Sequence, residues 1–216
     1  MSGNTNWLKT TEGPVLLTEG DNDCHVIAAL CRAHSLPEGC FGFYSCGSDD
    51  KAITRLKLLL KSGVNCPERF AIVLDADAPS LASKWQSLRS ILNSNGYEIP
   101  EKPSSKGTIL TAAGKPLVGI WMMPDNNLDG MLEDFCLRLA PQEALNLAEE
   151  YITKCKESGH ATFKDAHHSK ALVHSFLGTQ DEPGSPLGQA ITRKVLSSEE
   201  EIAKDFTNWL VSAFAS

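Results

Sequence analysis

The sequence lacks any apolar run long enough to cross a bilayer. Its longest runs, such as Pro116 to Pro124, fall far short of the roughly 20 residues that a membrane-spanning helix needs. The first residues, Met1 to Asn6, are polar and contain neither the basic region nor the apolar region of a secretory signal. We therefore expect no membrane association and a cytoplasmic location.

The sequence also lacks the spacings that indicate zinc ribbons and redox dithiols. Its seven cysteines are an odd number, and no two of them form a C-x-x-C pair. Most of them stand among apolar residues, which predicts small, reduced core residues. His167, His168 and His174 have no acid at ligand spacing, so we assign no metal to them.

An excess of positive charge is absent as well, since the formal net charge of the 216 residues is −7. This excludes a protein that coats nucleic acid through electrostatics alone. A long nucleic-acid substrate would require a local basic patch or a basic partner. There is no P-loop either, because Gly114-Lys115-Pro116 lacks both the first glycine and the following Ser or Thr.

The first half of the chain alternates short apolar runs with amphipathic helical patterns. This alternation predicts βαβ units and an α/β fold with a central, mostly parallel sheet flanked by helices. The predicted elements are a strand at Val15–Leu17, a helix at Asp21–His34, a strand at Cys40–Cys46, a helix from Ser48 to about Lys61, a strand at Phe70–Leu74 and a helix to about Asn95.

The second half begins with a predicted hairpin at the sheet edge and continues as helices. The hairpin joins Thr108–Leu110 to Leu117–Met123 through Gly114-Lys115. The helices are expected from Leu128 onward, at Pro141–Ser158, at His167–Leu177 and at Ser198–Ala215, with a Gly/Pro-rich loop at Gly178–Gly188. We expect residues 1–126 to form the α/β core and residues 127–216 to form a helical extension packed on it as one structural unit.

Acidic residues follow two of the predicted strands. Glu19 ends the first strand, and Asp75 and Asp77 follow the strand at Phe70–Leu74. Parallel strands carry their carboxyl ends to one edge, and residues two apart on a strand point the same way, so these carboxylates are expected to meet. Like charges in one place favour a hard divalent cation such as Mg²⁺.

A structural interpretation of these acids remains open. Asp77 can cap the following helix, and Asp75 can simply end the strand. Asp21 and Asp23 suit the first turn of a helix through the helix dipole. That interpretation does not account for Glu19, which stands at the strand end itself.

The pattern Glu-Gly-x-x-Asp after one strand and Asp-x-Asp after the third resembles the Toprim domain of topoisomerases, bacterial primases and overcoming-lysogenization-defect (OLD) nucleases. The resemblance implies a Toprim/Rossmann-like sheet with a bound Mg²⁺ or Mn²⁺. It implies general acid/base chemistry or metal binding for Glu19 and metal coordination by Asp75 and Asp77. By the same motif, Asp23 is a further expected ligand.

A later segment, Gly119 to Asn126 followed by Gly130-Met-Leu-Glu133-Asp134, resembles a small stand-alone Toprim-like family of unknown function related to the OLD nucleases. In those nucleases an acid after the sheet and a lysine in the C-terminal helices complete a two-metal site. The resemblance implies these roles for Glu133 as a metal ligand and Lys170 as a catalytic residue. A solvated helix face is the alternative interpretation for both.

These features predict Mg²⁺-dependent phosphodiester chemistry on DNA or RNA. The chain lacks the ATPase of OLD proteins and the zinc module of primases, and its tyrosines belong to no cleavage domain, so we do not expect DNA relaxation. One alternative is a non-catalytic module that binds a metal or a nucleotide and acts with a protein partner such as an ATPase. A haloacid-dehalogenase phosphatase is disfavoured, because Pro79 stands where those enzymes carry Thr or Val.

Overall fold

A computed structural model of the chain describes residues 5–61, 66–77 and 79–215. Residues 1–4, 62–65, 78 and 216 lie outside the described residues, and with them most of the polar stretch Met1 to Asn6. The described strands form one sheet in the order β2-β1-β3-β5-β4. They are β1 (Val15–Thr18), β2 (Gly42–Ser45), β3 (Arg69–Leu74), β4 (Thr108–Leu110) and β5 (Leu117–Met122).

Strand pairing confirms the predicted α/β fold and the predicted edge hairpin. β2, β1, β3 and β5 run parallel to one another, and the three-residue β4 pairs antiparallel to β5 at the edge. The central strand β3 is buried on both faces from Phe70 to Leu74. Its unbroken apolar run is typical of a parallel strand that is covered by helices on both sides.

Eight helices surround the sheet in the described part of the chain. They are α1 (Asp21–Ala33), α2 (Asp49–Lys61), α3 (Leu81–Ser94), α4 (Leu132–Leu137), α5 (Gln142–Glu157), α6 (His168–Leu177), α7 (Leu187–Thr192) and α8 (Glu201–Phe214). Short 3-10 helices occur at Thr5–Leu8 and Asp165–His167. None of the described helices combines the length and apolarity that crossing a membrane requires.

The helices cover the two faces of the sheet unequally. α2 and α3 cover one face, where Leu56 and Trp85 pack with Ile72 of β3. α1 and α8 cover the other face, where Ile27 and Phe206 belong to the same apolar cluster as Val73. Side chains of α4 to α7 extend this second cluster, so the C-terminal helices share a hydrophobic core with the sheet.

One helix prediction was wrong, and one short helix was not predicted. The helix expected from Leu128 begins only at Leu132, because Asp125 accepts backbone hydrogen bonds from Asn127 and Leu128 and holds this stretch in a turn. Leu128 is consequently exposed instead of lying on the apolar face. The helix α7 was not predicted, since its six residues directly follow the Gly/Pro-rich segment.

Candidate functional site

The carboxyl ends of β1 and β3 lie side by side, because these two strands are parallel neighbours. Glu19 follows β1 and Asp75 follows β3 at this edge. The backbone N–H of Asp75 donates a hydrogen bond of 2.8 Å to Oε1 of Glu19. Two acids that are 56 residues apart in sequence are therefore in direct contact.

A cleft of about 500 Å³ opens at this edge of the sheet. It is lined by five acids and one base, which are Glu19, Asp21, Asp23, Asp75, Glu133 and Lys170. The fold thus brings together residues from β1, α1, the end of β3, α4 and α6. Every acid that was singled out in the sequence lines the cleft except Asp77.

Asp77 does not occupy the position that strand alternation predicted. β3 ends at Leu74, so Asp77 lies in the following turn and is exposed. The two-residue alternation of a strand no longer fixes the direction of its side chain there. Its charge still reaches the cleft, because it contributes to raising the pKa of both Glu19 and Asp75.

Asp23 contributes one carboxylate oxygen to the helix and keeps the other unpaired. Its Oδ2 accepts a hydrogen bond of 3.1 Å from the backbone N–H of Gly20, which stabilises the first turn of α1. Its Oδ1 is buried and has no hydrogen-bond partner among the described residues. The whole residue is only 6% exposed. Helix capping therefore accounts for Oδ2, whereas Oδ1 is an orphaned acceptor among the described residues.

Asp75 connects the strand end to α4. Its Oδ1 accepts a hydrogen bond of 2.9 Å from the backbone N–H of Leu132, the first residue of that helix. This bond satisfies one of the N–H groups that a helix start leaves open. It also sets the position of Glu133, the next residue, at the cleft.

The solvated-face interpretation is wrong for Glu133. Its side chain is 7% exposed, and its Oε1 lies 3.2 Å from Nζ of Lys170. Lys170 itself is about half exposed, so it holds this pair at the mouth of the cleft. Glutamates are rarely buried in this way, because taking a carboxylate and its lysine partner out of water costs desolvation energy.

Lys84 is a component of the site that sequence reasoning missed. Its side chain is only 2% exposed, and its Nζ lies 3.3 Å from Oδ2 of Asp49 and 3.8 Å from Oε1 of Glu19. The signal was present in α3, where Lys84 lies on the same stripe as Leu81 and Leu88 at helical spacing. A lysine on an apolar stripe predicts a buried charge with acidic partners.

Burial and mutual repulsion raise the pKa values of the clustered acids. Burial is the main cause for Asp23, whose pKa rises to about 7, with further contributions from the charges of Glu19 and Glu133. Burial likewise raises the pKa of Asp75 to about 8, helped by Asp23 and Glu19. The pKa of Glu19 is also raised by burial, against the opposing effects of the Asp75 N–H and Lys84. The cluster therefore holds protons near neutral pH.

The cluster has the chemistry of a cation site, although its oxygens do not converge on one point. Within the described ranges, no group of three or more His, Cys, Asp or Glu side chains is arranged so that it could hold a metal ion. Protein donors already occupy oxygens of Glu19, Asp75 and Glu133. The donor type and the orphaned Oδ1 of Asp23 nevertheless fit a hard divalent cation.

A larger cavity of about 760 Å³ lies at the other end of β1, beside Pro14 and Val15. Its acidic lining residues are Glu12 and Glu68. Neither of them belongs to the buried cluster described above. The volume of this cavity therefore does not make it the better candidate for chemistry.

The fold and the cleft define an α/β protein whose carboxylates gather at the carboxyl ends of its parallel strands. A family model matches residues 13–215, which is nearly the whole chain. The chain belongs to that family, which is described as Protein of unknown function (DUF3226). A search of curated proteins and a search of solved structures each found no match.

Proposed function

We propose that this chain uses Mg²⁺ or Mn²⁺ to hydrolyse phosphodiester bonds of nucleic acid. The observation that carries the proposal is the orphaned Oδ1 of Asp23, buried in a cleft with the carboxylates of Glu19, Asp75 and Glu133. Such a cluster is electrostatically unfavourable unless protons or a cation compensate it. The Toprim-like arrangement of the motifs, itself a resemblance, supports the same chemistry.

The cleft supplies the residue types that phosphodiester hydrolysis requires. A divalent cation held by Asp23, Asp75 and Glu133 would polarise a phosphoryl oxygen and acidify a bound water. Asp77 lies in the adjoining turn and is a further ligand in this proposal. The oxygen donors match what Mg²⁺ and Mn²⁺ prefer.

Glu19 is the proposed general base. Its raised pKa makes it a better proton acceptor at neutral pH than an ordinary surface glutamate. It would take a proton from the water that attacks phosphorus, while the bond from phosphorus to the leaving oxygen breaks. The Asp75 N–H and Lys84 hold its Oε1 in place from two sides.

Lys170 is proposed to contact the phosphate. Its ammonium is at the mouth of the cleft and about half exposed, so an incoming substrate can reach it. A lysine at this point would neutralise the charge that develops on the phosphoryl oxygens. In the structure, Glu133 holds that ammonium next to the acids.

A second candidate function is a non-catalytic module that binds a metal or a nucleotide and acts with a partner protein such as an ATPase. The observation that favours it is that protein donors already satisfy oxygens of Glu19, Asp75 and Glu133. Carboxylate oxygens that already accept protein donors are less available to coordinate a catalytic cation. This candidate predicts binding without turnover.

The test is a cleavage assay of the purified chain on single- and double-stranded DNA and RNA with Mg²⁺ or Mn²⁺. The variants are Glu19→Gln and Asp75→Asn, which remove a charge and keep the shape, with Asp181→Asn on an exposed loop as the matched control. We expect the parent and the control to cleave the nucleic acid and both cleft variants to lose cleavage. Binding of the cation without cleavage of any substrate would favour the non-catalytic module.

A further inference from the structure

A group of cations lies next to the acidic cleft, on the outer edge of the sheet. Tyr44 of the edge strand β2 is flanked by Arg55, whose guanidinium carbon is 4.4 Å from the ring centroid, and by Lys9, whose Nζ is 5.0 Å from it. Lys51 lies one helical turn before Arg55 on α2. We call Lys9, Lys51 and Arg55 the edge cations.

The edge cations adjoin the cleft directly. Ser45, Gly47 and Ser48 line the cleft, while Tyr44, Cys46, Lys51 and Arg55 line a neighbouring cavity of about 340 Å³. The two cavities therefore lie on either side of the segment that joins β2 to α2. The side-chain Nζ of Lys51 would lie only 3.7 Å from a Cβ placed on Gly47, so its ammonium is at this boundary.

The thiol of Cys46 lies within electrostatic range of both groups. Burial raises the pKa of this thiol to about 11, Lys9 and Arg55 act to lower it, and Glu19 acts to raise it. Two of the edge cations and one acid of the cleft therefore act on the same side chain.

Within the described residues, none of the edge cations forms an ion pair with a carboxylate. The ammonium of Lys9 donates a hydrogen bond to the backbone carbonyl of Ser45, a neutral acceptor that leaves its charge uncompensated. The Nε of Arg55 is buried without a hydrogen-bond partner in that same part of the chain. Lys51 and Arg55 line the cavity of about 340 Å³ together with one acid of the described residues, the exposed Asp50. Arg55 also lines the larger cavity that contains Glu12 and Glu68. The edge cations are a local group of positive charge on a chain of net charge −7.

We propose that the edge cations bind the phosphate backbone of a nucleic-acid strand next to the bond that enters the acidic cleft. This inference rests on the proposed function and names how its substrate is held. A guanidinium and ammonium groups are the usual ligands of backbone phosphates. Their place beside the cleft that Lys170 also lines would lead the strand to the acids despite the overall negative charge.

The test measures the affinity of the full chain for fluorescein-labelled single- and double-stranded DNA and RNA by anisotropy, with EDTA present so that cleavage cannot occur. Lys51→Gln combined with Arg55→Gln is compared with Lys57→Gln combined with Lys61→Gln. Lys57 and Lys61 are exposed on the other side of the same helix, so the control removes the same charge. Lys51→Gln alone is included because Lys51 is exposed, so its loss does not disturb the packing of Arg55 on Tyr44.

The expected result is binding that weakens about tenfold in the Lys51/Arg55 variant and stays near the parent in the control. The slope of log K against log[salt] should become less steep by about 0.7 to 0.9 for each lost phosphate contact. Equal binding by the Lys51/Arg55 variant and the parent overturns the inference. Displacement of the oligonucleotide by an equal concentration of ATP overturns it too, since it assigns the cavity to a free nucleotide.

Failure of the inference and failure of the proposed function are distinguishable. If the parent cleaves and the Lys51/Arg55 variant has an unchanged KM, the inference is overturned and the proposed hydrolysis is supported. If the edge cations bind nucleic acid but no cleavage occurs in Mg²⁺ or Mn²⁺, the inference is supported and the proposed hydrolysis is overturned. A parent that neither binds nor cleaves any of the four substrates at low salt overturns both.

Discussion

The backbone N–H of Asp75 donates a hydrogen bond to Oε1 of Glu19, and this bond joins the ends of β1 and β3 at the floor of the cleft. It orients an acid whose one cationic partner among the described residues is the buried Lys84. The same Asp75 accepts the first N–H of α4 through its side chain. One residue thus fixes both the proposed base and the helix that carries Glu133.

Removing the charge of Asp75 should stabilise the protein in the absence of metal. Asp75→Asn keeps an oxygen that can accept the Leu132 N–H and removes the repulsion with Asp23 and Glu19. In EDTA at pH 8 we expect the free energy of unfolding to rise by about 1 kcal/mol or more, which is about 2 to 4 °C in Tm for a chain of this size. Thermal unfolding beside the Asp181→Asn control measures it. A less stable Asp75→Asn protein in EDTA would contradict the repulsion argument.

The stability of the metal-free protein should fall as pH rises from about 4 to about 8. The pKa values of Asp23 and Asp75 are raised on folding to about 7 and about 8, so over this range the folded state binds more protons than the unfolded state. For each extra proton that the folded state binds, the free energy of unfolding falls by about 1.4 kcal/mol per pH unit. Urea unfolding in EDTA at several pH values checks this.

Mg²⁺ or Mn²⁺ should reverse that loss, because a cation replaces the protons on the same carboxylates. We expect the metal-induced rise in Tm to be small at pH 5 and to grow through pH 8. The Asp75→Asn variant should show a much smaller rise at every pH. A metal effect that is equal at pH 5 and pH 8 would place the bound cation away from Asp23 and Asp75.

Replacing Lys84 should be costly because it leaves two acids without their buried partner. For Lys84→Met we expect a loss of about 3 kcal/mol in the free energy of unfolding, whereas Lys57→Met at an exposed position should change it little. Adding Glu19→Gln should restore part of the loss, since Glu19 is then neutral. Strictly additive effects of the two substitutions would show that Lys84 and Glu19 do not interact.

Lys170 should matter for cleavage as well as for stability. Its ammonium is about half exposed, but Lys170→Ala leaves the buried carboxylate of Glu133 without its cationic partner, so we expect a loss of about 1 to 3 kcal/mol in the free energy of unfolding. Its loss should lower kcat by about a hundredfold if it contacts the phosphate. Lys156→Ala, which removes another exposed lysine paired with an acid, is the matched control. Equal cleavage by both variants would exclude Lys170 from the reaction.

The strand pattern of the sequence predicted most of the fold. Phe70 to Leu74 is an apolar run bounded by polar residues, and such runs indicate buried parallel strands. The proximity of Glu19 and Asp75 followed from the same pattern, because parallel strands end at one edge. The start of α4 was not predictable, since it depends on hydrogen bonds to Asp75 and Asp134 from the backbone of Leu132 and Met131.

The parts of the site that escaped prediction are those set by tertiary contacts. Lys84 resembles a solvated residue of an amphipathic helix unless its place on the apolar stripe is noticed. The group of edge cations combines Lys51 and Arg55 of α2 with Lys9, which lies over Tyr44 of β2 through a contact that no local pattern specifies. Glu133 lies off the apolar stripe of its helix and becomes buried only because α6 packs beside α4.

The most direct test of the central claim is the anomalous scattering of Mn²⁺ in crystals of the full chain grown at pH 8. We expect a peak in the cleft, next to Oδ1 of Asp23 and the carboxylate of Asp75, and no peak there in crystals of Asp75→Asn under the same conditions. A parent crystal at saturating Mn²⁺ with no peak in the cleft, or with a peak elsewhere only, would contradict it.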